Sequence, residues 1–165
     1  MRLALKLAAF DSRKHFETLR AESLEVLNVI CLNPEIISFL TEFSFDTVIK
    51  IGAFYYDEPN GIKKQFTWED EFKYALDADL LLVGSGISGD LVVLDLVDCQ
   101  AGLLFLDYFW DADEQGLRKF LIKMNCSLGQ FFLNSITVKD YPIDAYEAAA
   151  YMGSEFTGYW NPEGE

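Results

Sequence analysis

The feature that most constrains the fold is the segment Asp79 to Leu96, in which one apolar run enters a glycine-rich turn and a second apolar run leaves it. The turn, Gly84 to Gly89, has the spacing GxGxxG, which cradles a dinucleotide pyrophosphate when it follows a strand and opens a helix. The run after it, Leu91 to Val97, is short and rich in β-branched residues, which favours a strand over a helix. We therefore predict a tight turn between two strands, with dinucleotide binding as the alternative.

Length and composition favour one globular domain over residues 1–165, because 51% of the residues are hydrophobic. No apolar run approaches the roughly 20 residues that span a bilayer. Lys6 and Asp11 interrupt the apolar N-terminus, and no cleavage site of a signal peptide follows. Cys31, Cys99 and Cys126 are odd in number and form no CxxC pair, which is typical of reduced thiols. We expect a cytoplasmic protein without membrane association.

Charge is distributed unevenly along the chain, whose formal net charge is −14. Residues 1–64 hold eight basic and nine acidic side chains, whereas residues 65–165 hold five and eighteen. DNA and RNA binding needs Lys and Arg to replace counterions around phosphates, so we expect no direct nucleic-acid contact. A basic protein would be attracted, and a nuclease is one such partner. The alternative is that the acidic surface serves solubility alone.

The first half of the chain predicts helices and a hairpin. Asp11 or Ser12 can cap a helix to about Ile30, and Asn33 with Pro34 opens a shorter one that ends near Ser44. The β-branched and aromatic run Thr47 to Tyr56 favours a strand. Pro59, Asn60 and Gly61 would turn this strand back into a hairpin with residues 62–66. Thr67 could cap a short helix through Leu76, with an exposed loop over residues 68–71 as the alternative.

The second half predicts a sheet followed by two helices. Four further strands are expected, at Leu80 to Val83, Leu91 to Val97, Leu103 to Tyr108 and Arg118 to Met124. Ser127 with Gln130 has the spacing of a capping box, and Pro142 should open a last helix to about Met152. The expected fold is a single α+β domain with a mostly antiparallel central sheet packed by helices.

Residues 33–136 resemble the SUKH superfamily, which includes the fungal Smi and Knr regulators and many bacterial toxin-immunity proteins. The resemblance is carried by Leu32 to Glu35, the strand ending at Val83 and Gly84, Gly89 with Asp90, the strand ending at Leu106 and Asp107, and the helix start CSLGQFF. The turn residues Gly84, Gly86, Gly89 and Asp90 are fold signatures in this comparison. A helix over residues 1–32 and a helix with a loose tail over residues 140–165 depart from the family pattern.

The resemblance implies a domain that binds another protein, often the catalytic domain of a toxin, and blocks it without performing chemistry. A toxin bound by so acidic a protein is expected to be basic. Two alternatives stay open: a regulatory scaffold of the Smi and Knr type, and a small-ligand or nucleotide-binding domain that uses the glycine turn. Neither the toxin nor the oligomeric state follows from the residues.

One segment combines aromatic residues with carboxylates in the way a steered protein interface does. The candidate partner-binding residues are Asp107, Tyr108, Trp110, Asp111, Asp113 and Glu114. Aromatic rings could anchor in a partner's pocket while the carboxylates attract its positive charge. The alternative is that Phe109 and Trp110 fill the core or cover the edge of the sheet.

Catalytic, cofactor and metal sites are not predicted. His15 is the one histidine in the chain, and no nucleophile motif or orienting group accompanies it. Asp111, Asp113 and Gly116 match positions one, three and six of a calcium loop, but Ile122 stands where the bidentate Glu is required. Carboxylates are so numerous that no acid–base pair can be singled out.

Overall fold

The structure, a computed structural model, describes residues 33–42, 48–56, 70–109 and 114–154. The predicted first helix, the strand over residues 62–66 and the tail beyond Ser154 lie outside these ranges. No helix within the described ranges has both the length and the apolar character needed to cross a bilayer.

Within the described residues, six strands form one antiparallel sheet, and each strand pairs with the next in sequence. They are β1 (Ile49–Ile51), β2 (Phe54–Tyr56), β3 (Leu80–Gly86), β4 (Leu91–Asp95), β5 (Gln100–Leu104) and β6 (Leu121–Lys123). Short turns suffice for such an order, because antiparallel neighbours need no crossover. β4 lies in the middle of the sheet, and its residues from Val92 to Asp95 are all buried.

Helices cover both faces of the sheet. In chain order they are α1 (Pro34–Glu42), α2 (Asp70–Asp77), α3 (Leu106–Phe109), α4 (Glu114–Leu117), α5 (Leu128–Thr137) and α6 (Ala145–Tyr151). Successive strand side chains point to opposite faces, so the sheet feeds two separate apolar clusters. One cluster receives α1, α5 and α6, and the other receives α2, α3 and α4. The described residues therefore form one α+β domain, as the sequence predicts.

Three of the predicted helix starts fall within the described residues, and two of them follow the predicted capping residue; the predicted caps at Asp11 or Ser12 and at Thr67 lie outside these residues. The Asn33 Oδ1 accepts the Glu35 N–H at 2.9 Å, and the Ser127 Oγ accepts the Gln130 N–H at 3.3 Å. The prediction that Pro142 opens the last helix is wrong by three residues, because the Asp144 side chain caps α6. An Asp carboxylate accepts a first-turn N–H group, which a proline ring cannot do.

The predicted single strand from Thr47 to Tyr56 is also wrong, because Gly52 breaks it into β1 and β2. Gly52 has φ +64°, a conformation that glycine adopts without steric cost. A Cβ at this position would stand 2.5 Å from the Ser135 carbonyl oxygen on α5. The hairpin therefore lies inside the segment, and β2 continues the sheet by pairing with β3.

Three strands have bounds that differ from the predicted ones. The strand predicted to run to Tyr108 ends at Leu104, and α3 begins at Leu106. The strand predicted over residues 118–124 begins with a 3-10 turn and is extended only as β6. The strand predicted to end at Val97 ends at Asp95, whose carboxylate accepts the Val97 N–H at 3.0 Å.

Candidate functional site

A tight turn connects β3 directly to β4, as predicted, but the strand predicted to end at Val83 continues to Gly86, because Gly84, Ser85 and Gly86 pair with β2. The Gly86 N–H donates to the Asp90 carbonyl at 2.7 Å, and the Gly89 N–H donates to the Gly86 carbonyl at 3.1 Å. Gly89 has φ +93°. A Cβ on Gly84 would collide with the Tyr55 carbonyl of the neighbouring strand. The turn is thus shaped by close backbone packing, two of its amides donate within it, and a strand follows where a pyrophosphate site needs a helix.

Asp90 joins this turn to the starts of two helices. Its side chain is buried, and the residue is 6% exposed. Its Oδ1 accepts the Leu106 N–H at 3.1 Å, and its Oδ2 accepts the Ala145 N–H at 2.9 Å. These two amides begin α3 and α6, where backbone N–H groups lack partners within the helix. One carboxylate therefore joins its own turn to two chain segments that are 16 and 55 residues from it in sequence.

Three exposed apolar side chains lie around Asp90, and we name Ile87, Ile143 and Tyr146 the apolar patch. Their exposed fractions are 56%, 44% and 52%. The Ile143 carbonyl lies 3.5 Å from the place of a Cβ on Gly86, so the turn and the segment before α6 are neighbours. The Tyr146 ring packs edge-on against the buried Phe105 ring, with centroids 4.7 Å apart. The patch is therefore built from two distant parts of the chain.

Acidic side chains accompany the apolar patch. Asp107 is exposed on α3, one residue after the Leu106 amide that Asp90 binds. Glu147 is exposed on α6, and its Oε2 accepts the Ile143 N–H at 3.2 Å. Residues 74–117 and 140–165, which supply the patch and these carboxylates, contain no Lys or Arg. The segments that build this surface carry negative charge only.

The predicted interface residues are brought to this surface only in part. Asp107 lies beside it, Tyr108 is the third residue of α3, and Glu114 is the first residue of α4. Trp110, Asp111 and Asp113 lie outside the described residues.

Phe109, which the sequence placed between those carboxylates, belongs to the core. It is 1% exposed, and its ring packs edge-on against Tyr74 with centroids 5.6 Å apart. For Phe109 the core alternative is confirmed. Phe109 therefore holds α3 in the apolar cluster that also contains Leu82 and Val93 of the sheet.

A second buried carboxylate, Asp95, lies at the other end of β4. It is bound by Arg118 at 2.6 Å and by Lys123 at 2.9 Å, and it is 1% exposed. Burial acts to raise the pKa of Asp95, but the hydrogen bonds from Lys123, from the Val97 N–H and from Arg118 outweigh it. The pKa therefore lies below its ordinary value of 3.8. Asp95 has the surroundings of a structural ion pair.

A cavity of about 230 Å³ lies between the N-terminal ends of α1 and α5. Its apolar lining includes Ile36, Phe39 and Leu128, and the Cys99 residue also borders it. The other described thiol, Cys126, is half-buried, and burial raises its pKa, so it is protonated at neutral pH. Within the described ranges, no three His, Cys, Asp or Glu side chains are grouped as metal ligands would be.

No family model, no curated protein and no solved structure matches this chain. Its own residues therefore carry the functional argument, and sequence reasoning missed four of them: Ile87, Ile143, Tyr146 and Glu147. A signal for Tyr146 is present in α6, because Ala145, Ala148 and Ala149 form the buried stripe of that helix. Small residues facing inward leave the larger tyrosine facing outward.

Proposed function

We propose that this protein is a non-enzymatic binding domain of the immunity type, which holds a basic toxin and blocks it. The observation that carries the proposal is the apolar patch of Ile87, Ile143 and Tyr146 on segments that carry only negative charge. Interfaces commonly place an apolar centre inside a polar rim. An acidic rim favours a partner of the opposite charge.

The resemblance to the SUKH superfamily supports the same proposal. The pair Gly89 and Asp90, which carries much of that resemblance, is also the pair that shapes the turn beside the apolar patch. Bacterial members of the superfamily neutralise toxins encoded beside them. We propose that this chain does so in the cytoplasm.

Electrostatic attraction explains how such a domain would act quickly enough to protect a cell. A field of one sign raises the association rate with an oppositely charged protein by roughly 10- to 1000-fold at low salt. Neutralisation then needs only occupancy of the toxin surface, so no catalytic group on this chain is required. A basic nuclease is the toxin class that this charge suits best.

The test is a pull-down with the full-length protein as bait against the purified products of the genes immediately upstream and downstream. The complex is collected at low and at high salt, with an unrelated protein of similar length and net charge as the control bait. A captured toxin is then assayed for activity with and without the protein.

The proposal predicts a salt-sensitive complex with one neighbour, formed by this protein and not by the control bait, together with loss of that neighbour's toxicity. Equal capture by both baits would reduce the interaction to ion exchange and contradict the proposal. A specific complex that leaves the neighbour's activity unchanged would favour a regulatory scaffold.

A further inference from the structure

We infer that the partner docks on the apolar patch at the Asp90 end of β4, with Ile87, Ile143 and Tyr146 at the centre of the interface and Asp107 and Glu147 at its rim. The inference rests on the proposed function for the kind of partner, a basic protein. It adds the location of the interface and the residues that supply its affinity.

Three exposed apolar side chains come from neighbouring segments at this place. Single exposed apolar residues are ordinary on proteins. Here the turn residue Ile87 is 56% exposed and stands next to the segment that holds Ile143 and Tyr146, which are 44% and 52% exposed. Side chains that form the centre of an interface lose the most water on binding and supply most of its affinity.

The backbone that presents the patch is fixed before any partner arrives. Asp90 bonds the first amide of α6 at 2.9 Å, directly between Ile143 and Tyr146 in sequence. Glu147 holds the Ile143 N–H, and the Asp144 side chain accepts the Glu147 N–H at 2.8 Å. A surface held in its binding geometry loses less conformational entropy on association.

The negative charge near the apolar patch favours a basic partner. Glu147 bonds the Ile143 N–H within the patch, and Asp107 follows the Leu106 amide that Asp90 binds. Residues 74–117 and 140–165, which build this surface, contain no Lys or Arg. Lys and Arg side chains of a partner would meet these carboxylates while its apolar residues cover the patch. An acidic partner would meet like charges on the same rim.

The test measures affinity for a defined probe, a fluorescein-labelled peptide of alternating arginine and leucine, by fluorescence anisotropy on the full-length protein. Ile87→Arg is compared with Val97→Arg, because Val97 is also a well-exposed apolar side chain in a turn, 67% exposed, and lies beyond the opposite end of β4. Both variants add one positive charge, so their effect on the long-range field is matched.

A second matched pair covers the possibility that one variant fails to fold. Tyr146→Arg is compared with Tyr151→Arg on the same helix. Tyr151 is 55% exposed, and its ring packs edge-on against Tyr141, as the Tyr146 ring does against Phe105. The two tyrosines therefore differ mainly in position.

The inference predicts that Ile87→Arg and Tyr146→Arg each weaken peptide binding about tenfold more than their matched controls. Equal weakening within both pairs, or no binding of the peptide to the unaltered protein, would overturn it. If the pull-down fails but the peptide affinities differ tenfold, the docking surface is supported and the toxin-immunity function is contradicted. If the pull-down succeeds but the affinities do not differ, the immunity function is supported and this docking surface is contradicted.

Discussion

The two ends of β4 hold a buried aspartate each, and they hold it in different ways. Asp90, just before the strand, gives its two carboxylate oxygens to backbone N–H groups at the starts of α3 and α6. Asp95, the last strand residue, is bound by Arg118 and Lys123. Among the residues that the structure describes, no side-chain cation is bonded to the Asp90 carboxylate, whereas Arg118 and Lys123 neutralise the charge of Asp95.

Because of this difference, the Asp90 end of β4 supports an exposed apolar surface, whereas the Asp95 end is an ion-pair cluster. Backbone donors fix the positions of chain segments, so the bonds of Asp90 determine where Ile143 and Tyr146 stand. Asp95 is bound by two side-chain cations instead. Its carboxylate also accepts the N–H of one exposed apolar residue, Val97, in the turn that follows. A buried aspartate therefore stabilises the sheet at one end of β4, whereas at the other end it also fixes the backbone of an exposed apolar surface.

The largest effect is expected from Asp90→Ala, which leaves two helix-start amides without their acceptor. Each unsatisfied buried donor costs about 1–3 kcal/mol, so the free energy of unfolding should fall by about 4 kcal/mol. Urea unfolding followed by circular dichroism measures this. Asp107→Ala, which removes an exposed carboxylate from the same region, should change stability by less than about 0.5 kcal/mol. A loss below about 1 kcal/mol for Asp90→Ala would show that water replaces the carboxylate.

Asp95→Ala should cost less, about 2 kcal/mol. Removing one partner of a fully buried ion pair costs roughly 3–5 kcal/mol, but the Arg118 and Lys123 side chains are 31% and 39% exposed and can regain water. The loss should shrink when sodium chloride is added to the urea titration, because salt screens partly exposed charges. The loss of unfolding free energy in Asp90→Ala should not shrink with salt, because its partners are backbone N–H groups. Equal salt dependence of the two variants would contradict the difference between the two ends of β4.

Gly89→Ala should cost about 1–2 kcal/mol, because a Cβ at φ +93° is strained and would stand 3.0 Å from the Leu106 side chain. The matched control at the other end is Cys99→Ala. Cys99 already holds an L side chain at φ +61°, so this change adds no backbone strain. Thermal unfolding of both variants compares the two turns, and an equal cost would mean that the glycine is not required.

The smallest effect is a dependence on pH that belongs to the Asp95 end. Because the folded pKa of Asp95 lies below its ordinary value of 3.8, the ionised group adds stability above that pH. This stability is lost as the pH falls through the lowered value. Thermal unfolding from about pH 6 to about pH 2.5 should show the unaltered protein losing stability relative to Asp95→Asn. Parallel curves would show that ionisation of Asp95 does not stabilise the fold.

Much of the fold follows from local patterns in the sequence. The strand, turn and strand around the glycines could be predicted, because the β-branched run after Gly89 is too short for a helix. Two helix caps could be predicted from Asn33 and Ser127. The turn at Gly52 was missed because the close approach of α5, which leaves no room for a Cβ there, has no counterpart in the local pattern.

The site could be predicted less well than the fold. Asp90 and Asp107 were selected from the turn and from the acidic segment. The bonds of Asp90 to Leu106 and Ala145 depend on tertiary packing and leave no mark in the spacing of these residues. Ile143 appears as one more apolar residue in the sequence, and only the packing of α6 shows that it is exposed.

The most direct measurement is a backbone amide NMR titration of the isotope-labelled protein with the arginine–leucine peptide. The account predicts that shift changes concentrate at the Asp90 end, in Gly86 to Asp90, Leu106 to Asp107 and Ile143 to Glu147. Changes of equal or greater size at the Asp95 end, in Leu96 to Cys99 and Leu121 to Lys123, would contradict it.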